Sequence, residues 1–295
     1  MARMSPRDRA QLRALAKSFA APKRAEAQYV ADLRKMQKSV WEGVVRAIRE
    51  KGLPAPDWRQ DHEAPHSLLD DRMLRRIFRF TTPQTQAAFD RMHKEVMKAR
   101  NRAPEATARL QGDLARRIHE RLSLPGIDHG LDGIVAVKRA ENVDLVKSVQ
   151  SDMLDDLRDV LAETAGQSLS EIEDAIIARG NVPISRVNLI ARDQTTKLNA
   201  AITQHRCQAA GLSRYTWSTS QDERVREEHR NLEGREFSFA VGAPEADTDG
   251  GNANPGEPIA CRCVACPILE SDDEGEASGG VAEEDEESPD LAAEE

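Results

Sequence analysis

A chain of 295 residues is long enough to bury a substantial core, and two units are expected. Aromatic residues make up only 4% and charged residues 32%, which excludes a dense β-sandwich and describes a helical, heavily solvated protein. No run of about 18 apolar residues is present, so no membrane span or membrane partner is expected. No apolar core follows the basic N-terminus, so no secretory signal is expected.

The net charge of −9 conceals an asymmetry. Residues 1–140 carry 29 Lys and Arg against 17 Asp and Glu, whereas residues 270–295 carry 13 carboxylates and no base. A basic first half is expected to meet nucleic acid or an acidic protein surface. The carboxylate-rich end lacks the apolar residues needed to offset chain entropy and is expected to be a disordered acidic tail, 270–295.

In chain order, Ser5-Pro6 opens a helical pattern through about Lys51, with Leu12, Leu15, Phe19, Leu33, Val44 and Ile48 on one face and Pro22 breaking it in two. Prolines between Gly52 and Pro65 mark a linker; His62 and His66 fall there, and Pro65 argues against the helix a metal pair would need. Asp70 to Phe80 is a short basic amphipathic stretch whose Arg72, Arg75, Arg76 and Arg79 are the candidate DNA contacts. Thr82 and Pro83 then read as the start of a new helix to about Arg102, and Pro104 as the start of another to Leu122. Glycines and Pro125 predict a loop to Val137, followed by a helix from Glu141 to about Ala165. Ser168 and Glu171 predict a capping box for the next helix, which Gly180 closes.

The stretch from Ile184 to Cys266 carries the motifs. Pro183, a capping Ser185 and a left-handed Gly211 bound a helix containing Arg192-Asp193-Gln194. Tyr215, Trp217 and Thr219 alternate with Thr216 and Ser218, which predicts a half-buried strand. Ser220 or Asp222 can cap a short helix through His229 that Gly234 ends, Phe237 and Phe239 read as a second strand, and Ile259 to Val264 as a last strand with Cys261 and Cys263 on one face. The expected fold class is α+β: mainly helical N-terminal and central regions, with a small C-terminal α+β domain of a few short strands. The expected units are a basic helical region, 1–125, and a second domain, 141–269.

The ordered set Arg-Asp-Gln, Tyr-x-Trp-Ser-Thr, Asp-Glu-Arg-Val-Arg-x-x-His, Leu-x-Gly and Pro-Gly-Glu-Pro-x-x-Cys-Arg-Cys resembles the phage Mu F-like head-morphogenesis family, over roughly Asn142 to Leu269. The resemblance implies a structural minor head protein of a tailed phage or prophage, not an enzyme. It further implies a place in the virion, at the capsid interior or portal vertex, with the portal protein, capsid or scaffold proteins and double-stranded DNA as partners. The residues it singles out are Arg192, Asp193, Trp217, Asp222, Arg224, His229, Gly234, Cys261, Arg262 and Cys263. One departure is that many relatives have a His shortly before Cys-Arg-Cys, where this chain has Pro258, Ile259 and Ala260.

Two chemical alternatives stand beside that reading. Asp222, Glu223 and His229 are the residue types of a metal-dependent nuclease, so a catalytic, nuclease or toxin-like domain is the alternative function. His229 with Cys261, Cys263 and Cys266 is a zinc-type donor set, although Cys-x-Cys is not the usual knuckle spacing. The expectation is no catalytic residue and no cofactor: the cysteines are small buried residues beside a hydrogen-bonded His229. Arg192 and Asp193 are expected to pair with each other or to anchor the Asp222–His229 loop.

Overall fold

The computed structural model describes residues 6–51, 71–110, 113–164, 167–179, 182–247 and 249–269. The expected linker with His62 and His66, the Gly180 stop and the acidic tail lie outside the described residues.

The chain opens with α1 (Pro6–Phe19) and α2 (Lys23–Lys51), divided at Pro22 as expected. The Pro22 carbonyl accepts from the amides of Ala25 and Glu26 and so starts the second helix. A single helix, α3 (Asp71–Ala108), then replaces the three predicted segments, running through Pro83 and Pro104. Thr82 therefore caps nothing. Pro83 sits on the exposed side of the helix, so the carbonyl deprived of its amide can turn to water, while Thr81, Thr85, Ala88 and Phe89 bury the opposite side without interruption.

After α4 (Asp113–Leu122), helix α5 (Leu131–Glu163) begins ten residues earlier than the sequence predicts. Gly130, at φ 86°, makes the left-handed turn into it, and Leu131 and Val135 are buried, so the glycine-rich stretch is partly helical because its apolar residues find a core. In α6 (Leu169–Arg179) the capping box is present: Glu171 N donates to Ser168 Oγ at 3.4 Å, and Ser168 N to Glu171 Oε2 at 2.8 Å.

Helix α7 (Val182–Ala209) starts before Ser185, which lies inside it and is not its cap. Its far end is the predicted one. Leu212 N donates to Cys207 O and Gly211 N to Gln208 O, with Gly211 at φ 72°, a Schellman stop.

Three antiparallel strands follow in the order β2 (Glu236–Ser238), β1 (Arg214–Ser218), β3 (Val264–Ile268), with the short helix α8 (Glu227–Leu232) between the first two in sequence. Tyr215 lies opposite Phe237 and Pro267, and Trp217 opposite Ala265. Because β1 is central and covered on both faces, Tyr215 through Ser218 are all buried, and the half-buried strand of the prediction is a fully buried one. Helix α8 starts at Glu227, so neither Ser220 nor Asp222 caps it. The last strand also starts later than predicted, which leaves Cys261 and Cys263 in the loop that leads into it.

Apolar packing joins helices of both expected units, 1–125 and 141–269. Helices α2, α3, α5 and α7 pool Tyr29, Leu33, Phe89, Met92, Val146, Val149, Leu198 and Ile202 in one cluster. At one end α6 closes a second cluster with Val44, Ile77, Leu157 and Ile176. At the other, the sheet packs on α1, α4 and the end of α7 through Phe19, Ile118, Cys207, Tyr215, Trp217 and Phe239. No helix among the described residues is long and apolar enough to cross a membrane.

Candidate functional site

Helix α7 is the platform for the motif residues. Asp193, nearly buried, accepts from the backbone amide of Ala260 at 2.8 Å and pairs with Lys197 at 3.0 Å. Ala260 has φ 56°, a left-handed conformation uncommon for alanine, and the Asp193 carboxylate helps hold it there. One turn further along α7, Ala200 and Thr196 meet Gly256 so closely that a Cβ on the glycine would lie 2.8 Å from Ala200 Cβ. Asp193 thus anchors the loop before Cys261, not the Asp222–His229 segment. Arg192 does not pair with it either, but with Glu26 of α2 at 3.4 Å.

The loop anchored in this way brings Cys261 and Cys263 onto His229 of α8. Cys261 Sγ lies 3.8 Å and Cys263 Sγ 3.5 Å from His229 Nδ1, and all three side chains are at least 94% buried. The other ring nitrogen, Nε2, is 2.9 Å from the carbonyl oxygen of Ala246. A carbonyl only accepts, so Nε2 carries the hydrogen and Nδ1 is turned to the sulfurs. Trp217 presents its ring edge-on to the imidazole, 5.2 Å between centroids. Cys261 Sγ also receives the backbone amides of Gly256 and Cys263, each at 3.4 Å.

The electrostatics follow from that geometry. The neighbouring Cys263 thiol, then His229 and the two backbone amides, lower the Cys261 thiol pKa in spite of burial. His229 is raised, first by its Cys261 partner. Cys263 is raised by the same Cys261 and by burial. The fourth member of the alternative zinc set is elsewhere: Cys266, opposite Thr216 on β3, directs its sulfur to Leu12 O at 3.8 Å, and burial raises its pKa, as it raises that of Cys207.

Asp222 takes another route from the one predicted. Its carboxylate accepts the amide of Arg224 at 3.0 Å, closing an Asx turn, and receives a bidentate pair from Arg262 at 2.5 and 2.7 Å. The Arg262 guanidinium, first of all, holds Asp222 below the ordinary carboxylate range. Arg224 itself is exposed. Asp222 and His229 therefore serve different partners, and among the described residues only His229, Cys261 and Cys263 form a metal-type group. Gly234, at φ 74°, donates its amide to Trp217 O and ends α8 against β1.

Several positions went unread in the sequence. Glu233 accepts the Thr219 amide at 2.5 Å, Glu257 accepts the Asn254 amide at 2.6 Å, and the Ala246 carbonyl sets the His229 tautomer. The Pro-Gly-Glu-Pro run was the available signal for Gly256 and Glu257; Ala246 offers none, because its contribution is a backbone atom. A cavity of about 380 Å³ opens beside this loop, between the α1–α2 turn and α7, with Arg192, Asn199, Asn254, Arg262 and Cys263 among its walls. Far from it, Arg72, Arg75, Arg76 and Arg79 are all exposed on the first turns of α3, and among the described residues no carboxylate pairs with them.

A long helix that ends in a three-stranded sheet and holds a Cys-Arg-Cys loop on a buried His defines a small α+β class of domain. Residues 154–266, from the second half of α5 to Cys266, match the family described as Phage Mu protein F like protein. The chain is also similar to an uncharacterized protein of Haemophilus influenzae (strain Rd), 39% identical over 137 residues. That match covers 46% of this chain and 29% of the relative's length, so the chain spans less than a third of that relative. No solved structure matches the chain.

Proposed function

We propose that this chain is a structural minor head protein of a tailed phage or prophage. It acts in head assembly and in DNA packaging or ejection, at the capsid interior or the portal vertex. Its partners in this reading are the portal protein, neighbouring capsid or scaffold proteins, and double-stranded DNA. The observation that carries the reading is the family match over residues 154–266. Its role in this reading is non-catalytic: the polar side chains of Asp193, Asp222 and Glu233 are occupied in holding loops.

The two sequence regions divide the work in this proposal. Residues 141–269 give the head-protein unit, and the basic region 1–125 gives the nucleic-acid contact, with Arg72, Arg75, Arg76 and Arg79 forming an exposed basic turn on α3. The test is capture of the portal protein by the full chain, with and without nuclease. Capture that survives nuclease supports direct contact with the portal, and capture that is lost supports DNA as the bridge. If neither portal nor DNA is retained, the reading fails. The DNA contact has its own measurement. Duplex binding without sequence preference should weaken steeply with salt, because each neutralised phosphate releases counterions, and replacing the four arginines by alanine should flatten that slope.

A further inference from the structure

The cluster at the C-terminal end is more ordered than a group of buried thiols requires. We propose that His229 Nδ1 and the sulfurs of Cys261 and Cys263 hold one zinc ion, with the fourth position left to water or an exogenous donor. The inference does not depend on the head-assembly reading.

Spacing is the first argument. Bonds of about 2.3 Å to sulfur and about 2.0–2.1 Å to imidazole nitrogen at a tetrahedral angle put a sulfur about 3.6 Å from the nitrogen. The two sulfurs lie 3.5 and 3.8 Å from Nδ1, and the three donor atoms all fall within 4.8 Å of one another. A pair of thiols packed only by their apolar character has no reason to straddle a single ring nitrogen.

Orientation is the second. The Ala246 carbonyl fixes the proton on Nε2 and aims Nδ1 inward, which is how outer-shell acceptors orient a ligating histidine. The amides of Gly256 and Cys263 point at Cys261 Sγ and stabilise negative charge there, as a thiolate ligand needs. The backbone that supplies them is held at Ala260 by Asp193 and at Gly256 by close approach to α7. Donor type is the third: two soft sulfurs and an imidazole select zinc over magnesium or calcium, which take oxygen. Cys263 lines the 380 Å³ cavity, which gives an ion and a fourth ligand a way in. On binding, the ion replaces the protons held within the cluster, and these are released to solvent.

The test uses the full chain, reduced and stripped of metal, titrated with zinc against a chromophoric chelator and separately with cobalt(II). The expected result is one ion per chain, with a cobalt spectrum that combines tetrahedral d–d bands and sulfur-to-cobalt charge transfer. Replacing both Cys207 and Cys266 by serine should leave one ion per chain. Cys261→Ser or Cys263→Ser should weaken binding by more than the 10–100-fold that loss of an outer-shell partner costs. Wild-type protein that takes up no stoichiometric zinc, or a cobalt complex without charge transfer, overturns the proposal whether or not the serine variants fold. Loss of the ion in Cys266→Ser alone, with the fold intact, would also overturn it.

Discussion

The helical bundle and the sheet end satisfy their backbones in opposite ways. In α2, α3, α5 and α7 nearly every amide and carbonyl is bonded within its own helix, so the side chains are free to do one thing, which is to pack. Ala25, Leu33, Phe89, Met92 and Val96 are buried there, and among the interior polar side chains Tyr29 meets Asn142 and Thr81 meets Gln150, while Asn199 and Arg100 donate to the carbonyls of Phe19 and Ala20. At the sheet end, three short strands leave long loops whose amides have no ladder. Named side chains take their place: Asp193 for Ala260, Glu233 for Thr219, Glu257 for Asn254, Asp222 for Arg224. The first region asks of its sequence chiefly a period, while the second asks more often for particular residues.

The contrast predicts unequal tolerance to substitution. Trp217, fully buried on the central strand and edge-on to His229, has no room to be replaced: Trp217→Ala is expected to cost about 3–5 kcal/mol in denaturant unfolding. A shape change in the bundle, Met92→Leu, is expected to cost less than about 1.5 kcal/mol although Met92 is equally buried. Comparable losses from the two would break the comparison.

Gly256→Ala comes next. The new methyl would lie 2.8 Å from Ala200 Cβ, at a residue with φ 91°, and the two faults together are expected to cost about 2–4 kcal/mol. Gly133→Ala in α5, where a Cβ meets nothing, is expected to stabilise by up to about 1 kcal/mol. Thermal melting of the pair gives shifts of opposite sign if the bundle tolerates what the loop cannot.

Removing one anchor has a smaller effect. Asp193→Ala leaves the Ala260 amide and Lys197 without their acceptor and should cost about 1–3 kcal/mol. It should also loosen the loop that carries Cys261 and Cys263, which thiol alkylation would detect as faster labelling of those two cysteines while Cys207 stays protected. Unchanged labelling would mean that the loop is held by Gly256 and the sheet alone.

The same contrast explains what could be read before the structure. Helix period and stop signals gave α1, α2, the Ser168–Glu171 box and the Gly211 stop, because each depends on residues within one or two turns. Pro83 and the stretch before Glu141 were misread because local signals, a proline and several glycines, were overruled by apolar partners distant in sequence. The motif residues were legible as a set, since side chains that serve backbone amides cannot be exchanged freely. Their partners were not. Asp193 serving Ala260, Asp222 serving Arg262, and Cys266 facing Leu12 and not His229 are long-range pairings that no spacing encodes.

The smallest effect belongs to the Asp222–Arg262 pair, which is partly exposed and so weakened by solvent. Asp222→Asn keeps an oxygen for the Arg224 amide and removes only the charge, so it isolates the ion pair from the Asx turn. Because Arg262 lowers the Asp222 pKa on folding, the folded chain binds the proton less readily than the unfolded one. The pair's contribution is therefore present above the ordinary carboxylate value of 3.8 and lost as the pH falls through the lowered value. Wild type should melt slightly above Asp222→Asn at neutral pH, the difference should narrow below pH 3.8, and added salt should shrink it at any pH. A difference that stays constant across that range would show that Asp222 acts through hydrogen bonds its amide can also make, and that this loop is held by geometry without charge.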